Sequence, residues 1–172
     1  EEAHYINKVM RIKTGKEIFV TNGQGTIWKA KKVSKDFIEI GRLDKPYLLQ
    51  KQDTFLLGIA VVIPKNGFED ILKMCTEIGI DFIQPLFSER QINKNLNFSR
   101  KLSRWNTIIK ESVEQSERLW KPSILNGIDI INWIKERDNQ DTISISVTRD
   151  DSFDYLNKWL KKQHEVLDKK SG

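Results

Sequence analysis

Arg104, Glu111, Gln115 and Arg118 are separated by seven, four and three residues. At roughly 100° per residue, this spacing puts four long polar side chains within about 60° of one another on a helix. Two guanidinium groups, a carboxylate and a carboxamide on one edge can grip a charged polymer, or they can tie a loop to the helix. The spacing leaves both open. Arg90 follows an apolar run through Ser88 and Glu89, and ligands of doubly wound sheets collect at the carboxyl ends of strands, so this arginine is well placed to meet a phosphate. Lys73 and Glu77 lie four residues apart on the polar face of another helical stretch, as a surface ion pair or as substrate contacts. Nearer the amino terminus, Lys8, Arg11, Lys13 and Lys16, joined by Lys29, Lys31, Lys32 and Lys35, form either a phosphate-tracking surface or a solvated basic face. On RNA such contacts would add salt-dependent affinity more than sequence choice. Trp28 reads as a packing residue, with base stacking as the alternative.

Several chemistries find no support. The sequence holds no Gly-rich phosphate loop and no Ser/His or Cys/His pairing at a recognisable spacing. Asn22-Gly23-Gln24-Gly25 reads as a hairpin turn, because no helical pattern follows it. With one cysteine and two histidines, no metal cluster is suggested, and Cys75 falls on the apolar face of a helix as a buried thiol.

The elements that must position these residues follow from periodicity. Residues 55–63 are an apolar, β-branched run that reads as a strand buried on both faces. Pro64 ends it. A helix follows, entered at Asn66 or Gly67, with Phe68, Ile71, Leu72, Cys75 and Ile78 on its apolar face and Gly79 at its left-handed C-cap. Residues 81–87 supply a second buried strand, which completes a crossover unit of an α/β sheet. A polar loop at 88–97 precedes the longest helix, over 99–119, whose inner stripe is Leu102, Trp105, Ile109, Val113 and Ser116. Pro122 stops it, and 128–135 is a short amphipathic segment. Residues 142–148 read as a third buried strand. A last helix, capped by Asp150 or Ser152, turns Phe153, Leu156, Leu160 and Leu167 inward.

Upstream, residues 1–13 read as a short helix with Lys8 and Arg11 toward solvent. Strands over 17–20, 27–30 and 37–43 suggest a small barrel or sandwich. The pattern changes near residue 53, where the domain boundary is expected.

A chain of 172 residues, 38% apolar and 31% charged, fits one ordinary domain or two small ones. Its net charge of +5 is uneven: residues 1–53 carry eleven Lys/Arg against seven Asp/Glu, whereas 54–172 carry eighteen against seventeen. Any long-range positive field should arise mainly from the amino-terminal segment. No signal peptide or membrane span is suggested, and a cytoplasmic protein is expected. Three parallel strands make a thin sheet, and the final helix has no strand after it. This leads to the expectation of a fragment, or of a protein whose open edge a partner covers.

Five stretches together resemble the RsmE family of small-subunit ribosomal RNA methyltransferases, which belongs to the SPOUT superfamily. They are His4-Tyr5-Ile6-Asn7-Lys8-Val9-Met10-Arg11 followed by Gly15; Lys65-Asn66-Gly67 through Lys73-Met74-Cys75-Thr76-Glu77-Ile78-Gly79-Ile80; Pro85-Leu86-Phe87-Ser88-Glu89-Arg90; Arg104-Trp105 with Ile109; and Glu111-Ser112-Val113-Glu114-Gln115-Ser116-Glu117-Arg118 through Pro122. The resemblance implies a PUA-like RNA-binding β-barrel over residues 1–53 and an incomplete SPOUT-type parallel α/β domain over 54–172. It also implies S-adenosylmethionine-dependent methylation of a uridine N3 in 16S ribosomal RNA or the small-subunit particle, by a homodimer. His4 and Arg11 match the amino-terminal motif. Glu77, Arg90, Arg104, Glu111, Gln115 and Arg118 match polar positions of the catalytic domain, and Lys8, Arg11, Lys13 and Lys73 are the RNA-binding candidates. Gln91, Ile92 and Ser112 depart mildly from the family pattern. The family's Gly-Pro-Glu-Gly-Gly segment and its later Leu-Arg-containing turn are absent. Most of the methyl-donor pocket is therefore expected to be missing, no donor-binding residue is assigned, and this chain alone is expected to be inactive. The alternative is a non-catalytic RNA-binding or ribosome-assembly module.

Overall fold

The computed structural model describes residues 2–89, 98–137, 142–145 and 155–170. The chain divides into two compact units, residues 1–136 and 137–172. In the first unit a short helix α1 (Glu2–His4) runs into a π-helical turn, Tyr5–Val9, closed by Met10 N–H donating to Tyr5 O at 2.9 Å. Arg11 then takes a left-handed φ of 49°, and Ile12 N–H donates back to Ile6 O. The expected helix over 1–13 thus ends early, and its last residues return toward the sheet.

Strands β1 (Glu17–Thr21), β2 (Thr26–Lys32), β3 (Ile38–Ile40) and β4 (Leu48–Leu49) form an antiparallel sheet in which β2 pairs with all three others. The β1–β2 turn has the expected chemistry. Asn22 Oδ1 accepts from Gln24 N–H at 2.8 Å and Thr26 N–H at 3.2 Å, and Gly23 and Gly25 take positive φ. Trp28 is half-buried and donates its indole N–H to Leu43 O, so it packs as expected.

The second sheet is parallel. Strand β5 (Gly58–Val62) pairs with β6 (Phe82–Phe87), and β6 pairs on its other edge with β7 (Ser123–Ile124) and β8 (Ile128–Asp129). Between β5 and β6 runs α2 (Phe68–Ile78), entered at Gly67 and closed at Gly79 with φ 93°, so the expected crossover is present. Helix α3 (Phe98–Gln115) packs on α2. The core gathers Ile63, Phe68, Leu72, Cys75, Ile80, Ile83, Trp105, Ile108 and Ile109. Phe68 and Trp105 touch with ring centroids 4.5 Å apart, and Phe98 meets Trp105 edge-on at 5.6 Å.

Pro85 stands inside this central strand, where a missing N–H would normally break a ladder. Ile63 N–H donates to Leu86 O and Leu125 N–H to Ile83 O, so alternate residues of β6 face opposite neighbours and Pro85 faces the β7–β8 side. The ladder there is interrupted between Ile83 and Leu86. Gln84 fills the gap by donating from Nε2 to Asn126 O and Pro85 O.

Four expectations are corrected. Strand β5 starts at Gly58, and its upstream apolar residues Phe55, Leu56 and Leu57 are exposed; among the described residues β5 is the edge of the sheet and not a strand buried on both faces. Ile78 is 75% exposed, since it falls in the last turn of α2, beyond reach of α3. Helix α3 stops at Gln115, because Glu117 takes φ 53° and Arg118 N–H donates to Val113 O as a C-terminal cap. The third partner of the parallel sheet is β7 with β8. Of the strand expected at 142–148, residues 142–145 have no regular secondary structure, with Ile143 and Ile145 exposed, and the rest lies outside the described residues. The short helix α4 (Ile130–Lys135) follows β8 directly, capped by Asp129 Oδ1 accepting from Ile131 N–H at 2.9 Å and Asn132 N–H at 3.3 Å.

In the second unit, helix α5 (Leu156–Lys170) is present with Leu156 and Leu160 exposed, not inward. Phe153 and the capping candidates Asp150 and Ser152 lie outside the described residues, as does the side chain of Leu167.

Cys75 is buried against α3, and burial pushes its thiol above the ordinary range. The native state keeps this proton longer than the unfolded chain does. Its contribution to stability is complete below the ordinary thiol pKa and is lost as pH rises through the folded value. A thiol-specific reagent at pH 8 is expected to modify folded protein at least tenfold more slowly than denatured protein; equal rates would show that the thiol is open to solvent.

Candidate nucleic-acid interface

The amino-terminal basic residues are held in place by one buried lysine. Lys32 is 5% exposed and donates its ammonium protons to Asn7 Oδ1 and Ile12 O, while Asn7 Nδ2 donates to Lys35 O at 2.6 Å. Gly15 N–H donates to Lys32 O, and Lys32 N–H to Lys16 O. Lys32 therefore leaves the expected phosphate-tracking set: it is a staple, its charge satisfied inside the fold. The staple presents Lys8, Arg11 and Lys13 on the outside of a fixed loop, where all three are exposed, as is His4. A pinned cationic loop gives up less side-chain and backbone freedom on binding a phosphate chain than a free tail does.

On the parallel sheet, a groove of about 610 Å³ opens at the carboxyl end of β5, lined by Lys65, Asn66, Gly67, Arg100, Lys101 and Arg104 among others. Arg104 is fixed there by a two-point contact with Glu69, Nε to Oε1 at 2.7 Å and Nη2 to Oε2 at 2.9 Å. Both groups are substantially exposed, so the pair orients the guanidinium more than it stabilises the fold. Lys73 pairs with Asp70 at 3.6 Å, one turn before it, where the spacing had suggested Glu77. Glu77 is exposed.

Glu111 and Gln115 are exposed on the same edge of α3 as Arg104, as their spacing implies. Arg118 leaves that edge because the helix has already ended. Its guanidinium lies over Gly79, with Cζ 2.8 Å from where a side-chain carbon on that glycine would sit. This places a positive group at the carboxyl end of α2, where the helix dipole favours one, and makes Arg118 a positioning residue that joins the ends of α2 and α3. Arg90 lies outside the described residues. Lys65, Arg100 and Lys101 were missed as site candidates. The available signal was the pairing of a post-strand turn, Pro64-Lys65-Asn66-Gly67, with an Arg-Lys pair one turn before Arg104.

A second groove of about 360 Å³ lies between the β1–β2 turn and the segment Trp120–Ser123, with Asp81 in its wall. Both grooves are open to solvent. A nucleoside sulfonium such as S-adenosylmethionine needs an enclosed slot for its adenine. The described residues do not build one. No group of His, Cys, Asp and Glu able to hold a metal occurs among them, and no described helix is long and apolar enough to cross a membrane.

An antiparallel β-domain followed by a parallel-sheet α/β unit is the fold these observations define. A family model described as an RNA methyltransferase domain matches residues 51–168, and one described as an RNA methyltransferase PUA domain matches residues 1–40. The chain belongs to the RsmE family of ribosomal RNA small-subunit methyltransferases. It is 31% identical over 152 residues to ribosomal RNA small subunit methyltransferase E of Synechocystis sp., an alignment that covers 86% of this chain and 48% of that protein. It is 31% identical over 146 residues to the protein of the same name from Buchnera aphidicola, covering 82% and 57%. Among solved structures, one described as a hypothetical protein aligns with TM-score 0.64 and 27% identity over 79% of this chain and 57% of the other. The Neisseria gonorrhoeae enzyme of the same name, bound to S-adenosyl methionine, aligns with TM-score 0.64 and 22% identity over 80% and 57%, a likeness of fold. The chain spans about half the length of the curated relatives it matches.

Proposed function

We propose that this protein takes part in S-adenosylmethionine-dependent methylation of a uridine N3 in 16S ribosomal RNA, acting on the small-subunit particle as a cytoplasmic homodimer. Residues 1–53 serve as the RNA-binding PUA-like domain, and 54–172 belong to the methyltransferase domain. The observation that carries this reading is the family match over residues 51–168. The curated relatives bear the name ribosomal RNA small subunit methyltransferase E, and the Neisseria gonorrhoeae neighbour has S-adenosyl methionine bound to it.

The residues of this chain act on the RNA side of the reaction. Lys8, Arg11, Lys13 and Lys73 neutralise backbone phosphates. N3 of uridine carries a proton that must leave before or as the nitrogen attacks, and the charge then spreads onto the flanking carbonyl oxygens. Arg104, pre-oriented by Glu69, and Arg90 supply positive charge for those oxygens, and Gln115 adds a carboxamide that can hydrogen-bond the base. Glu111 or Glu77 accepts the proton or orients the base. Arg118 acts indirectly, by fixing the junction of α2 and α3. No donor contact is assigned to the described residues.

The test is transfer of labelled methyl groups from S-adenosylmethionine to small ribosomal subunits by the purified natural gene product, followed by nucleoside analysis. Label in 3-methyluridine is expected; RNA binding without any transfer would favour the assembly-module reading. Glu111→Gln is expected to slow transfer by roughly 10²-fold or more and to remove the rise of rate with pH, if Glu111 is the base. An unchanged pH–rate profile would exclude it from proton transfer.

A further inference from the structure

We infer that Phe19, Tyr47 and Lys29 form a stacking platform for an unpaired nucleobase on the outer face of the antiparallel sheet; this deepens the RNA-binding reading proposed above and rests on it. Phe19 is 61% exposed and Tyr47 59%, yet the rings lie against each other with centroids 5.0 Å apart and planes tilted by 44°. The Lys29 ammonium sits 4.7 Å from the centre of the Tyr47 ring. Strand register fixes the cluster: Phe19 is directly opposite Lys29, and Tyr47 N–H donates to Ile27 O at 2.8 Å. Two aromatic faces and a cation held by backbone pairing lose little freedom on binding.

The neighbouring row on the same face selects which cation is available. Lys31 is opposite Glu17 on one side and Glu39 on the other, so its charge is locally balanced. Lys29 has Phe19 on one side and Gly41 N–H bonded to its carbonyl on the other, and so faces the aromatic pair without a carboxylate across from it. Exposed aromatic faces beside a lysine match a base flanked by its phosphate, as in sheets that bind single-stranded RNA. The excess of positive charge in residues 1–53 favours RNA over an apolar protein partner as the occupant. An aromatic–lysine cluster of this kind reads bases by their faces and therefore has little sequence preference.

The test uses fluorescence anisotropy of the full chain with decauridylate, and with a decamer of the same length and charge carrying abasic ribose. Phe19→Leu and Tyr47→Leu, which keep an apolar side chain, are each expected to weaken decauridylate binding roughly tenfold and to leave the abasic decamer within about twofold. Phe19→Tyr should bind as the parent does. Lys29→Met should lower the slope of log affinity against log salt by about one. Circular dichroism confirms that the variants fold. Parent-like binding of decauridylate by both leucine variants would overturn the platform, as would equal losses on both decamers. A loss of self-association or of a protein contact with RNA affinity unchanged would also overturn it, assigning the patch to protein docking. A parent chain that binds neither decamer would overturn the RNA reading itself, which separates the two failures.

Discussion

Gly25→Ala is expected to destabilise the protein by roughly 2–5 kcal/mol, the combined cost of a left-handed backbone on a residue with a side chain and of overpacking at a tight contact. Gly25 has φ 85°, and a carbon added to it would collide with the Gln50 carbonyl and the Trp120 ring. Several bonds converge there. Gly25 N–H donates to Leu119 O at 2.9 Å, Gln50 N–H to Gly25 O at 2.8 Å, Lys121 N–H to Gly23 O at 2.9 Å, and the Trp120 indole to Gln50 O at 3.2 Å. These bonds and the bridge between Gln24 and Trp120 join the antiparallel sheet to the segment after α3. Gly15→Ala supplies the comparison, since Gly15 has φ 87° with open space around it. That variant should lose only the backbone part, about 1–2 kcal/mol. Guanidinium unfolding of the two variants separates the terms, and equal losses would show that Gly25 sits in no close contact.

Ile109→Ala is expected to cost about 2–5 kcal/mol, because Ile109 is 0% exposed at the centre of the α2–α3 core and the cavity left behind cannot fully collapse. Ile78→Ala should change stability by no more than about 0.5 kcal/mol. The pair is informative because helical periodicity gives both residues an inward position, and burial separates them. Comparable losses at the two sites would mean that α2 packs a different face from the one described.

That contrast also shows what the amino-acid sequence made legible. Helix α2, its Gly79 cap, the parallel pairing of β5 with β6 and the Asn22–Gly25 turn were readable because each has a local cause: an apolar period, a positive φ, or a side chain that closes a turn. Strands β4, β7 and β8 have only two residues each, too few for an alternation to be seen, and they exist because β2 and β6 offer partners. The end of α3 was overrun because apolar residues continue to Leu119, while Glu117 leaves the helix through a backbone conformation that composition does not announce.

The site was legible unevenly for the same reason. The shared edge of Arg104, Glu111 and Gln115 follows from period alone. Arg118 was misplaced by extending that period past the cap. Lys32 looked like one more surface cation, and its burial depends on Asn7 and Ile12, which are distant in sequence and meet it only when the amino-terminal segment folds back. Phe19 and Tyr47 are 28 residues apart and become one surface through β2: Phe19 stands opposite its Lys29, and Tyr47 N–H donates to its Ile27 O.

The most direct measurement is nucleoside mass spectrometry of 16S ribosomal RNA from the native host with the gene intact, disrupted and restored. The account predicts that one 3-methyluridine disappears on disruption and returns with the intact gene. An unchanged 3-methyluridine content in the disrupted strain would contradict it.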